Sequence, residues 1–220
     1  PLLIAEDADL AAAVQYGVQD VMINSGQTCT ALTRMLLPAS RYAEAVEMAR
    51  EQTLGLVMGD PLDPQSFLGP MCSAAQRRTV QDYIRVGQQE GARRVCGGDQ
   101  AAFERGFYVT PTLFADVDNR MRIAQEEIFG PVLCLIPYTD EAHALQIAND
   151  SPFGLSSAVW AGSAERALHR GRQVPAGQCF LNGAAFNYQA PFGGYKQSGN
   201  GREWGEEGLN EFVEVKAIQV

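Results

Sequence analysis

The sequence predicts an α/β protein, a layered sheet with flanking helices and a strand extension at its C-terminal end. Three observations carry that expectation. Short apolar runs of strand length alternate with longer stretches of helical periodicity, turn residues separate the two, and the last ten residues alternate in polarity with a period of two. At 220 residues the chain can bury a sizeable core, which suits one large domain or one domain plus an extension.

Leu2-Leu3-Ile4-Ala5 reads as a buried strand, and residues 6–9 as a turn and helix cap. Leu10, Ala13, Val14, Gly17, Val18, Val21 and Met22 then recur at helical spacing until Asn24-Ser25-Gly26 supplies a stop. Residues 32–37 form a strand-like run, and a second helix opens at Pro38-Ala39-Ser40 and ends near Gly55. The turn-rich stretch 59–70 reads as a surface loop. A third helix over 73–90 leads to a short strand at 94–98. Residues 107–114 are another strand candidate, in which Pro111 marks an edge or a bulge. Further strands are expected at 131–138, 157–160 and 178–181, with helices over 141–149 and 164–173 between them. In 211–220 charged or polar residues alternate with apolar ones, as in a strand with one wet face. Such a strand invites a partner edge, which makes it a candidate oligomerisation strand; pairing within its own sheet fits the pattern equally well.

A net charge of −9 with no cluster of Lys or Arg argues against a nucleic-acid surface or a polybasic membrane patch and leaves small molecules as the expected partners. No apolar run approaches the ~20 residues of a membrane span, and the first residues lack the basic flank of a secretory signal, so a cytoplasmic protein is expected. The chain opens without Met on an apolar strand, from which an upstream segment is expected. Cys29, Cys72, Cys96, Cys134 and Cys179 are odd in number and contain no Cys-x-x-Cys pair, against both a disulfide framework and structural zinc; no metal site is expected. His143 and His169 stand in helix-like stretches without ligand spacing and are expected on the surface.

Chemistry concentrates at Ser25-Gly26-Gln27-Thr28-Cys29-Thr30, a turn between a helix and a strand. A thiol just after such a break, where backbone N–H groups are unpaired, ionises more easily, and the thiolate is the nucleophile. Taken alone, Cys29 reads first as a small buried hydrophobe. Two further motifs change its reading: Gln125-Glu126-Glu127-Ile128-Phe129-Gly130-Pro131-Val132 and Pro191-Phe192-Gly193-Gly194-Tyr195-Lys196-Gln197-Ser198-Gly199, with Asn149-Asp150-Ser151-Pro152-Phe153-Gly154-Leu155 between them. In this order they resemble the NAD(P)-dependent aldehyde dehydrogenase superfamily, and the resemblance runs from Pro1 to Val220.

The resemblance implies a catalytic thiol domain over 1–200 and a C-terminal oligomerisation segment over 201–220, with homo-oligomers formed through the terminal strand. It also implies a cofactor domain upstream of Pro1, holding the family's glutamate base and the asparagine that donates to the oxyanion. This chain alone is therefore expected to be inactive. The activity implied is oxidation of an aldehyde to a carboxylic acid with NAD or NADP, through a thiohemiacetal and a thioester on Cys29. Glu127 matches the carboxylate that takes the nicotinamide-ribose hydroxyls, and Phe129 the aromatic that packs near the nicotinamide. Their local readings are a turn carboxylate and a core aromatic. Glu126 is expected to face solvent. Phe186 and Phe192 resemble aldehyde-tunnel positions, Ile23, Thr28 and Thr30 flank the nucleophile, and Asn182 matches a supporting asparagine whose local reading is a turn residue. Apolar walls without an Arg favour an uncharged aldehyde. Gly193-Gly194 and 198–201 are read as turns or close backbone approaches without a cofactor role. Two other readings remain: a folded binding or oligomerising module without redox turnover, and a cysteine hydrolase, which would need a base near Cys29.

Overall fold

The computed structural model describes residues 1–100 and 103–220. Strand β1 (Leu2–Ile4) sends Leu2 and Ile4 into one apolar layer and Leu3 into another. The same alternation governs β2 (Arg34–Pro38), where Met35 and Leu37 oppose Leu36, and β5 (Val132–Tyr138), where Leu133 and Leu135 oppose Val132, Cys134 and Ile136. Side chains on successive strand residues point to opposite faces, so strands that are apolar throughout require a cover on both.

Helices α1 (Leu10–Met22) and α2 (Tyr42–Leu54) supply one cover through Leu10, Ala13, Val14, Ala45 and Ala49. α3 (Ala74–Gln89), α5 (Glu141–Asn149) and α6 (Ala164–Gly171) supply the other through Val80, Ile84, Ala144, Ile147 and Ala167. Their starts are fixed by side-chain caps: Asp9, Ser73, Asp140 and Ser163 accept from the N–H groups of Ala12, Gln76, His143 and Arg166. No helix among the described residues is long and apolar enough to cross a membrane.

Between these layers lies a seven-stranded sheet in the order β3-β4-β5-β2-β1-β7-β8, which adds β3 (Arg93–Gly98), β4 (Thr110–Ala115), β7 (Ser156–Trp160) and β8 (Gln178–Leu181). All neighbours are parallel except β3 against β4. The layered α/β class expected from the pattern is the class observed. Strand β4 is internal, so Pro111 does not mark an edge; the register shifts opposite it between Cys96 and Gly98, and the bulge accommodates its missing N–H.

Four short elements have no counterpart in the sequence expectation: α4 (Arg122–Gln125), α7 (Gly205–Asn210), and the antiparallel ribbon of β6 (Phe153–Gly154) with β9 (Tyr195–Lys196). Each is too short to show a period. The reverse holds at the chain end, where a strand was expected over 211–220. Those residues are exposed and pair with neither edge strand of the sheet, β3 or β8; an alternating pattern becomes a strand only where an edge receives it. Just before them, Glu203 exchanges backbone hydrogen bonds with Phe192, and Arg202 donates to the Gly194 carbonyl at 2.9 Å.

Candidate active site

In a parallel sheet the segments that lead into the strands gather at one end. Residues 26–33 lead into β2, 126–131 into β5 and 151–155 into β7; together they enclose an open cleft of about 300 Å³. The site thus lies at the amino ends of the strands, whereas ligands of open α/β sheets usually bind at the carboxyl ends.

The turn that carries Cys29 is built by backbone geometry. Asn24, Ser25 and Gly26 have φ of 51°, 55° and 73°, a left-handed run that ends the helical course and reverses the chain. The Gly26 backbone lies against Gly130 and Pro131, which brings the cysteine turn onto the Glu127–Phe129 turn although the two are about a hundred residues apart in sequence. Ser25 donates to the Gly69 carbonyl at 2.8 Å, and the Gln27 side chain accepts from the Cys72 N–H at 2.7 Å. Beyond the cysteine, Asp20 of α1 accepts the Leu32 N–H at 2.8 Å, so the loop is held on both sides of Cys29.

Cys29 is exposed to the cleft between Thr28 and Thr30, and among the described residues nothing accepts from its backbone N–H. Of the other thiols, Cys134 is buried and its thiol is pushed up to about 12 by that burial, and burial likewise raises Cys96 and Cys179. Cys72 is exposed but stands outside the cleft. Glu127 and Phe129 share the cleft with Cys29. The Glu127 carboxylate has no hydrogen-bond or ion-pair partner among the described residues, and Phe129 projects from a left-handed turn with φ of 55°. Glu127 is exposed in a turn, and Phe129 is not the core aromatic that its local pattern allowed.

Glu126 is exposed, as expected, yet not idle. Arg122 clamps it through two bonds of 2.8 and 2.9 Å, and Tyr83 donates to it at 2.6 Å; these partners, Arg122 first, hold its carboxyl down at about 2.

Ile23, Phe186, Phe192 and Asn182 do not line this cleft. Ile23 caps α1 and is 53% exposed. Phe186 stacks with Phe180, Tyr188 and Trp204 at centroid distances of 5.9, 4.9 and 5.5 Å, and Phe192 with Trp204 at 5.3 Å. Asn182 lies at the carboxyl end of β8, where its side chain accepts the Ala161 N–H at 2.9 Å. That is the opposite end of the sheet from Cys29. Gly193 packs its carbonyl against Gly177, a close backbone approach as read from the sequence.

A polar layer beneath the cleft was missed. The buried Arg34 guanidinium donates to Asn119 at 2.6 Å and to the carbonyls of Ile147 and Ala148 at 2.9 and 3.2 Å, at the C-terminus of α5. Burial pulls its pKa down to about 10. Lys196 donates to the Asn149 and Ser151 carbonyls at 2.8 and 2.9 Å. The signal was a lone charge inside the apolar run 32–37, which only a set of internal acceptors makes tolerable. Among the described residues no group of three or more His, Cys, Asp and Glu could hold a metal ion, and no histidine lines the cleft.

Fold and cleft together define a doubly wound α/β domain that presents a thiol opposite a free carboxylate and an aromatic ring. Residues 1–218 match the aldehyde dehydrogenase family, and the chain belongs to that family. It is 50% identical over 218 residues to a 3-succinoylsemialdehyde-pyridine dehydrogenase of Pseudomonas sp., covering 98% of this chain and 46% of that protein. It is 44% identical over 216 residues to a geranial dehydrogenase of Castellaniella defragrans, covering 98% and 45%. Among solved structures, a mutant of aldehyde dehydrogenase C from Pseudomonas syringae with NAD+ and octanal superposes with a TM-score of 0.97 at 46% identity, over 99% of this chain and 45% of that one. A Mycobacterium tuberculosis aldehyde dehydrogenase with NAD+ gives 0.94 at 47% identity, over 97% and 44%. The chain spans about half the length of these relatives.

Proposed function

We propose that this chain supplies the nucleophile and the ribose-binding carboxylate of an enzyme that oxidises an uncharged aldehyde to its carboxylic acid with NAD or NADP. The observation that carries the reading is the cleft itself, where an accessible thiol with a free backbone N–H meets a carboxylate without a partner. These residues fit a dinucleotide: the Glu127 carboxylate has acceptor capacity for two hydroxyls, and the Phe129 ring can pack on a flat heterocycle. When bound, the dinucleotide supplies the hydride acceptor.

The Cys29 thiolate attacks the aldehyde carbon and forms a C–S bond, and the carbonyl oxygen becomes an alkoxide. An oxyanion donor is worth a few kcal/mol when its N–H is already aimed at the developing charge, and the free Cys29 N–H is such a donor. After oxidation of the carbon, Cys29 carries the acyl group as a thioester, and attack by water releases the acid and returns the thiolate. Glu127 takes no part in these bond changes; it orients. Thr28 and Thr30 border the reacting carbon, and Ile23, Phe186 and Phe192 are proposed as the wall on the far side of Cys29. The relatives named for a pyridine semialdehyde and for geranial, and the octanal complex, support a largely apolar aldehyde.

The test is a panel of apolar aldehydes with NAD and NADP, with intact-mass analysis of the acyl adduct and Cys29→Ala as the comparison. Adduct formation at Cys29 and loss of turnover in Cys29→Ala are expected. An alanine variant with substantial activity overturns the assignment. A cysteine hydrolase is disfavoured by the position of the histidines: His143 lies on α5 beside Thr139, beyond the carboxyl end of β5, and His169 on the exposed side of α6.

A further inference from the structure

We propose that Glu126 is a positioning residue: its carboxylate, held by Tyr83 and Arg122 at the border of the cleft, fixes the direction of the neighbouring Glu127 carboxylate. The inference rests on the proposed role of Glu127 toward the ribose. Two adjacent glutamates begin chemically equal, and backbone geometry separates them. Glu126 has φ −106° and ψ 151°, an extended conformation in which successive side chains leave the chain on opposite sides. Whatever pins the Glu126 carboxylate on Tyr83 and Arg122 therefore sends the Glu127 side chain to the other side of the segment.

The pin comes from one face of α3. Gln76, Val80 and Tyr83 are spaced i, i+4, i+7 and share a helix face. Tyr83 bonds Glu126, Val80 packs against Gly130, and the Gln76 amide donates to the Ile128 and Phe129 carbonyls at 2.9 and 3.0 Å. In the segment 126–130 every residue but Glu127 is thus held, and of the residues 126–129 that line the cleft Glu127 is the one left free. The left-handed Phe129 agrees with this, because a non-glycine in that region persists only where its surroundings impose it. Arg122 completes the anchor with its fork on the Glu126 carboxylate and its guanidinium 5.6 Å from the Tyr83 ring centre.

The experiment compares Glu126→Ala, Glu126→Gln, Tyr83→Phe and Glu127→Gln in the enzyme that carries this chain. It reads amide hydrogen exchange over 126–130, the NAD dissociation constant by tryptophan quenching, and the rate at which iodoacetamide alkylates Cys29. Glu126→Ala is expected to speed exchange at Glu127 to Phe129 and to weaken NAD about fivefold, the size suited to an exposed three-member network. The alkylation rate stays as it was. Glu126→Gln keeps an oxygen for Tyr83 and is expected to recover most of both effects, with Tyr83→Phe between the two. Unchanged exchange in both Glu126→Ala and Tyr83→Phe overturns the positioning role. Unchanged NAD affinity in Glu127→Gln overturns instead the ribose role on which it rests.

Discussion

A Cβ on Gly26 would stand 2.1 Å from the Gly130 carbonyl carbon and oxygen, closer than any side chain tolerates. This contact is the joint between the nucleophile turn and the Glu127–Phe129 turn, and it explains the glycine three residues before the cysteine. Gly26→Ala is expected to destabilise the protein by about 2 kcal/mol or more, from the left-handed φ together with the displacement of a backbone that cannot swing aside. Thermal unfolding checks it, and Cys29 alkylation should change with it.

Arg34 and Lys196 both hold the C-terminus of α5, but burial separates them. Arg34→Ala strands several internal acceptors and is expected to cost about 3 kcal/mol. Lys196→Ala, at an exposed site, is expected to cost about 0.5 kcal/mol. Equal losses in denaturant unfolding would contradict the burial argument.

Asp20 gives a pH signature. Burial raises its carboxyl from 3.8 to about 6, against the lowering effect of its bond from Leu32. The folded state therefore holds this proton more tightly than the unfolded state. Its contribution is full below about pH 4 and is lost as pH rises to about 6, with an upper bound of about 3 kcal/mol. In Asp20→Asn this component should vanish, so that the variant gains on wild type between pH 4 and pH 7. A constant difference across that window would show that the group does not titrate there.

The tail yields a different test. Phe212, Val213, Val215 and Ile218 are exposed and outside any ladder, so removal of 211–220 is expected to leave the unfolding midpoint of the monomer within about 1 °C. If the alternating tail pairs with a second copy, as proposed, the truncated protein loses its oligomer in light scattering. An unchanged oligomer would place the contact elsewhere.

Local pattern made much of the fold legible. The apolar alternation of Leu2 to Ile4 and the helical recurrence from Leu10 to Met22 are single-element properties, and a short stretch of chain contains them. Glu127 is different: that it shares a cleft with Cys29 depends on Gly26 meeting Gly130, a contact no window around either residue reveals. The motifs named both residues, and tertiary structure supplied the reason. The aromatic positions Phe186 and Phe192 illustrate the limit, since their spacing could not show that they would stack around Trp204 outside the cleft. Residues 211–220 carry a strand pattern, but a strand exists only where an edge receives it.

The two cations bound to α5 also bear on how a reaction here would end. Arg34 has its donors on the Asn119 side chain and on peptide carbonyls and Lys196 has its own on peptide carbonyls, whereas the Glu127 carboxylate at the cleft has no partner among the described residues. An aldehyde is neutral and enters such a field without opposition. The acid that the proposed reaction would make is an anion, and it would meet the unpaired Glu127 carboxylate while the donors of both cations are already engaged. Under the proposed reaction, that repulsion would favour departure of the product over its retention.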